Sequence, residues 1–162
     1  MSLSARYRIQ QLTPNDLPLM AGLLATFGEA FKDAETYNSQ RPSADYLNQL
    51  LGSDYFIALA ALNKDQVVGG IAAYELKKFE QARSEIYIYD LAVLKAHRRE
   101  GIGTALIESL KKIAIARGAY VIFVQADTGV EDKPAIALYS KLGTREEVLH
   151  FDIAVDASDD AL

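Results

Sequence analysis

The segment Arg98-Arg99-Glu100-Gly101-Ile102-Gly103-Thr104 sets two cations beside two glycines, immediately ahead of an apolar run. Glycines let a backbone curl until successive N–H groups converge on one point. A helix starting there adds its unpaired first-turn donors and the positive end of its dipole. Converging donors with cationic neighbours are what a pyrophosphate requires. Upstream stands Asp90, the one acid inside the β-branched and aromatic stretch 86–93. A carboxylate there costs several kcal/mol unless it meets a cation or a donor, which marks it as a candidate base. Glu85, just before that stretch, is the other candidate, and relay through a water is a third route.

These groups need a strand, a tight turn and a helix in succession. Residues 86–93 are apolar on both faces, as a strand covered on both sides should be. Residues 104–116 have helical spacing, with Leu106, Ile107, Leu110, Ile113 and Ala114 inward and Glu108, Lys111 and Lys112 outward. Arg117-Gly118 closes that helix. Residues 119–126 read as a second buried strand, which a strand–helix–strand crossover makes parallel to the first.

The rest of the chain builds around this unit. Residues 6–12 alternate as a first strand. Thr13-Pro14-Asn15-Asp16 starts a helix, and Leu17, Met20, Leu23, Leu24 and Phe27 give it one apolar face. The polar run 29–41 interrupts the pattern before a second helix from Pro42-Ser43, with Tyr46, Leu47, Leu50 and Leu51 inward. Residues 55–62 and 67–74 form an antiparallel hairpin, with Gly69-Gly70 weakening its ladder or marking a bulge. Residues 75–84 are a polar connection. Pro134 opens a last helix over 135–142, stopped by Gly143, and two final strands are expected at 145–148 and 150–155. The acidic tail 156–162 reads as frayed.

At 162 residues the chain suits one domain with a real core. Half of it is hydrophobic and 24% charged, ordinary for a globular chain. A formal net charge of −5 argues against a nucleic-acid partner and favours cationic ligands. Without cysteine there is no disulfide, thiolate metal site or cysteine acyl-enzyme. His97 and His150 lack metal-ligand spacing, and His97, in the charged turn, reads as solvated. The first residues lack the apolar centre of a signal peptide and no run reaches membrane-spanning length, so the expectation is a cytoplasmic protein without a membrane partner.

The spacing Leu91-x-Val93 followed by Arg98-x-x-Gly101-x-Gly103 resembles the acyl-CoA-binding signature of the GNAT acetyltransferase superfamily. The resemblance implies an α/β (α+β) fold in one domain over residues 1–155. Its mixed central sheet would have about seven strands, helices on both faces and a splay between the fourth and fifth strands. It implies acetyl-CoA as cofactor and no metal. Arg98, Arg99, Glu100, Gly101, Ile102, Gly103 and Thr104 would surround the phosphates. Leu91, Ala92 and Val93 would give main-chain contacts to the pantetheine arm, the Ala92 or Val93 amide polarising the thioester carbonyl. Residues 135–143, Ala-Ile-Ala-Leu-Tyr-Ser-Lys-Leu-Gly, resemble the family's second cofactor motif, in which a tyrosine points at the CoA sulfur. Tyr139 would then protonate the departing thiolate. Asp132 stands where that pattern commonly has asparagine, and Thr144 where it has an aromatic residue.

Residues 56–61, 79–81, 83–93, 118–122, 124–127, 145–148 and 150–152 further resemble the gentamicin-type aminoglycoside 3-N-acetyltransferases. Most of these segments lie outside the cofactor cradle, so they bear on substrate. They imply acetylation of the 3-amino group of a 2-deoxystreptamine ring, hence a cationic small-molecule partner, and pairing of two copies. A polycation needs gathered carboxylates, and Glu80, Glu85, Asp90, Asp127 and Asp152 fall on or beside predicted strand ends. Tyr37, with Glu29, Asp33 and Glu35, could form a lid over them. Another amine, such as a polyamine or a peptide, fits the same acids. A non-catalytic acyl-CoA-binding module is the alternative of another class.

Overall fold

The computed structural model describes residues 2–156; the stretch after Asp156, expected to fray, lies outside the described residues. Residues 2–125 hold a mixed five-stranded sheet in the order β1-β2-β3-β4-β5. The strands are β1 (Tyr7–Gln11), β2 (Phe56–Asn63), β3 (Gln66–Lys77), β4 (Ser84–Val93) and β5 (Ala119–Val124). Neighbours pair antiparallel except β4 with β5, which are parallel as the crossover through α3 (Ile102–Arg117) demands. Two more helices, α1 (Leu17–Ala30) and α2 (Ala44–Leu51), belong to this unit. A second compact unit starts at Ala126 and contains α4 (Lys133–Leu142).

Local chemistry explains most of these boundaries. Ahead of α1, the Asp16 carboxylate accepts the Thr13 N–H at 2.8 Å while Thr13 Oγ1 accepts from Asn15 N–H, a reciprocal cap. Ser43 caps α2 through the Tyr46 amide. The buried face of α2 is Leu47 and Leu51, and Tyr46, expected inward, is exposed instead. Gly118, left-handed at φ 77°, ends α3.

The sheet is covered on both faces. Phe56, Ala58, Ala60 and Leu62 of β2 pack in one cluster with Leu23 and Phe27 of α1 and Leu47 and Leu51 of α2. Ile57 and Leu59, alternating with them, are equally buried and face the α3 side. The β2–β3 ladder shifts register between Ala61 and Leu62, beside the expected weak point at Gly69. Two expectations fail here. Strand β5 pairs on one edge only, and its Tyr120 and Val121 are exposed rather than buried.

The sheet also has five strands, not about seven, because residues 144–155 form no ladder among the described residues. Within this stretch Arg145 pairs with Glu147 and His150 with Asp152. A strand needs a partner backbone as well as a pattern, and among the described residues no backbone hydrogen bond joins this stretch to one.

One buried charge ties α3 to the sheet. Glu75 of β3, expected in a polar connection, is buried because β3 runs on to Lys77. Its carboxylate accepts from Ser84 Oγ at 2.6 Å and from Arg117 Nη1 at 2.8 Å. Burial pushes the Glu75 carboxyl up, but Ser84 and Arg117 outweigh it and hold it below the usual carboxylate value. The pair's stability is therefore present at neutral pH and lost as pH falls through that lowered range. Arg117→Met, which strands a buried carboxylate, is expected to cost about 3 kcal/mol at pH 7. Urea denaturation should show this cost shrinking as pH falls toward 3.

Candidate active site

A bulge in β4 aims Asp90. Ala73 pairs with Ile88 but Ala72 pairs with Asp90, so Tyr89 is one residue without an opposite number. Directly paired residues share a face. Ile88, Ala73 and Ile57 therefore lie on the α3 side, while Asp90, Ala72 and Ala58 lie on the α1 side. In a regular pleat with no bulge, Asp90 would keep step with Ile86 and Ile88 and enter the α3 core.

On the α1 side Asp90 meets Tyr37, whose hydroxyl donates to Oδ2 at 2.8 Å. Tyr37 sits on a π-helical turn, Glu35–Ser39, in the run that had been expected to form a lid. Its ring lies 5.7 Å from Phe31 and 5.9 Å from Phe27, which stack on each other. Burial raises the Asp90 carboxyl above its ordinary value, and the Tyr37 hydroxyl pulls it only part of the way back. The Tyr37 hydroxyl is itself pushed up, by burial and by the carboxylate it serves. Tyr89 stands edge-on to both Tyr74 and Tyr87, and Tyr87 stacks on Phe123 at 4.8 Å. This aromatic wall beside Asp90 escaped the sequence reading, because Tyr74 and Phe123 arrive from the two neighbouring strands.

The end of β4 offers main-chain groups. Leu94 N–H donates to Val68 of β3 at 2.8 Å. Since main-chain groups alternate sides, those of Leu91 and Val93 point away from β3. The ladder to β5 stops at Ile88↔Val124, short of them. Arg98 Nε caps the Val93 carbonyl at 3.1 Å. Beyond a 3₁₀ turn at Lys95–His97, Arg99 and Gly101 adopt left-handed φ of 63° and 82°. The first backbone bond of α3 runs from Ala105 N–H to the Gly101 carbonyl. The amides of Ile102, Gly103 and Thr104 are thus first-turn donors without a main-chain acceptor. The amino-terminal residues brace this turn: Ser4 N–H donates to the Glu100 carbonyl, and the Ser2 carbonyl lies 2.7 Å from where a Gly101 Cβ would stand. His97 is partly buried, its Nδ1 2.9 Å from the Tyr7 hydroxyl, and is not the solvated residue expected. Donors, left-handed residues and flanking arginines make a cradle that fits a diphosphate.

The acids divide into separate groups. Glu85 sits five residues before Asp90 on β4, about 16 Å along an extended strand. Lys78 Nζ reaches it at 3.3 Å and Glu80 at 2.8 Å. The Tyr120 hydroxyl and Lys78 hold the Glu85 carboxyl below its ordinary value, against a smaller effect of burial. In the second unit, Asp132 Oδ2 accepts the Asp127 N–H at 2.7 Å, and Asp152 meets His150 Nε2 at 2.9 Å. Tyr139 lies partly buried on α4, its carbonyl accepting the Gly143 N–H at 2.8 Å. No helix among the described residues is long and apolar enough to cross a membrane.

Residues 23–144 match the acetyltransferase (GNAT) family. The chain is similar to an aminoglycoside acetyltransferase from an uncultured soil metagenomic sample, with 70% identity and a TM-score of 0.91 over 96% of this chain and 100% of that one. A second soil-metagenome aminoglycoside acetyltransferase, solved in complex with sisomicin, is 32% identical, with a TM-score of 0.83 over 93% of this chain and 97% of that one. Among curated proteins, an N-alpha-acetyltransferase of Sulfurisphaera tokodaii is 32% identical over 54% of this chain and 58% of its own length. The chain spans 43% to 59% of the length of the curated relatives it matches.

Proposed function

Since this chain belongs to the GNAT acetyltransferase family, whose members use acetyl-CoA, we propose that it acetylates the 3-amino group of a 2-deoxystreptamine aminoglycoside. The observation that carries this reading is the 70% identity, across nearly the whole chain, to a solved aminoglycoside acetyltransferase. The 3-amino position rests on the resemblance of segments outside the cradle, including residues 83–93, to the gentamicin-type enzymes.

Bound acetyl-CoA would supply the activated acetyl thioester. The amides of Gly101, Ile102, Gly103 and Thr104, with Arg98 and Arg99, would hold its diphosphate, and Glu100 completes the turn. Leu91 and Val93 would present main-chain groups to its extended arm, beyond the last β4–β5 pair at Ile88↔Val124. Of the two amides first considered, Val93 is better aimed for polarising a carbonyl than Ala92, which faces β3. An amine with a pKa of about 8 to 10 must shed a proton before it attacks. Asp90 suits that task better than Glu85: burial makes it the stronger base, and Oδ1 is left to accept. Glu80, Glu85, Asp127 and Asp152 are the carboxylates we assign to recognition of the other ammonium groups. Tyr139, with Asp132 on the cofactor side, is assigned as proton donor to the leaving sulfur.

The experiment is to incubate the protein with acetyl-CoA and gentamicin and to locate the new amide by NMR. Acetyl on the ring 3-nitrogen supports the reading. Acetyl on another aminoglycoside amine removes the position but keeps the substrate class. Preference for a peptide N-terminus would favour the activity named in the archaeal relative. Tyr139→Phe is expected to lower kcat about tenfold or more with KM for acetyl-CoA little changed; an unchanged kcat leaves Tyr139 a packing residue.

A further inference from the structure

Tyr37 occupies an unusual position for a side chain first read as part of a substrate lid. A π-helical turn is rare and tends to occur at functional sites, and here it carries the one hydroxyl that reaches Asp90. The turn is built into the first helix. A Cβ on Gly28 of α1 would lie 2.4 Å from Asn38 Nδ2 and 3.3 Å from the Tyr37 Cβ, so a larger residue there would have to displace the Asn38 side chain and ease the turn away. Phe27 and Phe31 then hold the Tyr37 ring from the other side. Below the ring, Asp33 Oδ1 accepts the Thr36 N–H at 3.1 Å and fixes the start of the turn. Three elements, α1, the π turn and the β4 bulge, converge on one hydrogen bond.

We infer that Tyr37 is a positioning residue: its hydroxyl orients the Asp90 carboxylate, leaves Oδ1 to receive the proton of the incoming ammonium, and stabilises the anion. This deepens the acetyl-transfer reading and rests on it. The hydroxyl keeps its own proton throughout. In the step itself, one N–H bond of the ammonium breaks, one O–H bond forms at Oδ1, and the nitrogen lone pair is freed. The other ionisable groups around Asp90 are Tyr74 of β3 and Tyr87 and Tyr89 of β4, with Asp33 behind Tyr37. None of these is a cation. Asp90 has no ion-pair partner among the described residues, so the anion depends on Tyr37 for its stabilisation.

The test is Tyr37→Phe, which keeps the ring against Phe27 and Phe31 and removes only the hydroxyl. The acid limb of the kcat/KM profile with gentamicin is expected to move to higher pH. The loss should be about tenfold at pH 6 and shrink toward parity at pH 9, with acetyl-CoA affinity unchanged. Loss by the same factor at every pH, or no loss at all, overturns the inference. A second measurement is independent of turnover: carbon-13 NMR titration of the Asp90 carboxyl in wild type and variant. A midpoint displaced upward in Tyr37→Phe supports the coupling, and superimposed curves overturn it. If wild type acetylates no amine while the two midpoints differ, the coupling stands and the acetyl-transfer reading falls.

Discussion

Asp90→Asn is expected to lower kcat for aminoglycoside acetylation by about a thousandfold while leaving the Kd for acetyl-CoA within about twofold of wild type. Asparagine has the same shape and still accepts the Tyr37 hydroxyl through its amide oxygen. The fold around the bulge should therefore survive. What disappears is the carboxylate that takes up the proton of the attacking amine. The surviving rate should climb with pH, because free amine supplied by the solution replaces the enzyme's own deprotonation. In wild type the rate also falls at the acid end, for a different reason: burial raises the Asp90 carboxyl, so activity is lost as pH falls through that raised value. A variant with wild-type kcat at pH 7 would remove Asp90 from the chemistry and return the role to a water relay.

Gly101→Val is expected to weaken acetyl-CoA binding about a hundredfold or more. Two costs coincide at this position. A β-branched residue at φ 82° is strained by about 1–3 kcal/mol. Its Cβ would also stand 2.7 Å from the Ser2 carbonyl oxygen and 3.2 Å from the Leu3 nitrogen, which is main chain and cannot rotate away. The structure places the damage behind the nest, where the amino-terminal segment braces the turn. Titration with acetyl-CoA distinguishes the costs. If the contact dominates, removing residues 2–4 from a Gly101→Ala variant restores part of the affinity; if φ dominates, it restores none. Wild-type affinity in Gly101→Val would mean that the cradle lies elsewhere.

The local part of this architecture was legible because it is encoded locally. The strand, glycine turn and helix from Ser84 to Arg117 follow from β-branched content, two glycines and 3.6-residue spacing, all within one stretch. The cap before α1 was legible in four residues. Long-range register was not. Nothing in Ile-Tyr-Ile-Tyr-Asp announces that Tyr89 will be left over, since a bulge is decided by the partner strand. The charged side chain of Glu75 signalled exposure, and its burial depends on Arg117 arriving from the far end of α3. The alternation in 145–155 signalled two strands that are absent among the described residues, because pairing requires an acceptor chain that the pattern does not specify. Asp90 was picked out by type and setting; the tyrosine serving it sits 53 residues away on a turn with no familiar signature.

The leftover residue at Tyr89 lets a single ribbon of backbone belong to two neighbourhoods. Its first half is cemented into the oily layer under the long helix, and its second half is turned outward as a tool. Counting matters there more than spelling. Many side chains can be exchanged at 89 without consequence for the core, yet drawing that surplus position into a regular pleat would swap inside for outside along everything that follows, pulling a carboxylate into hydrocarbon and turning Leu91 to its former side. In this strand, the kink is held more tightly than the letters.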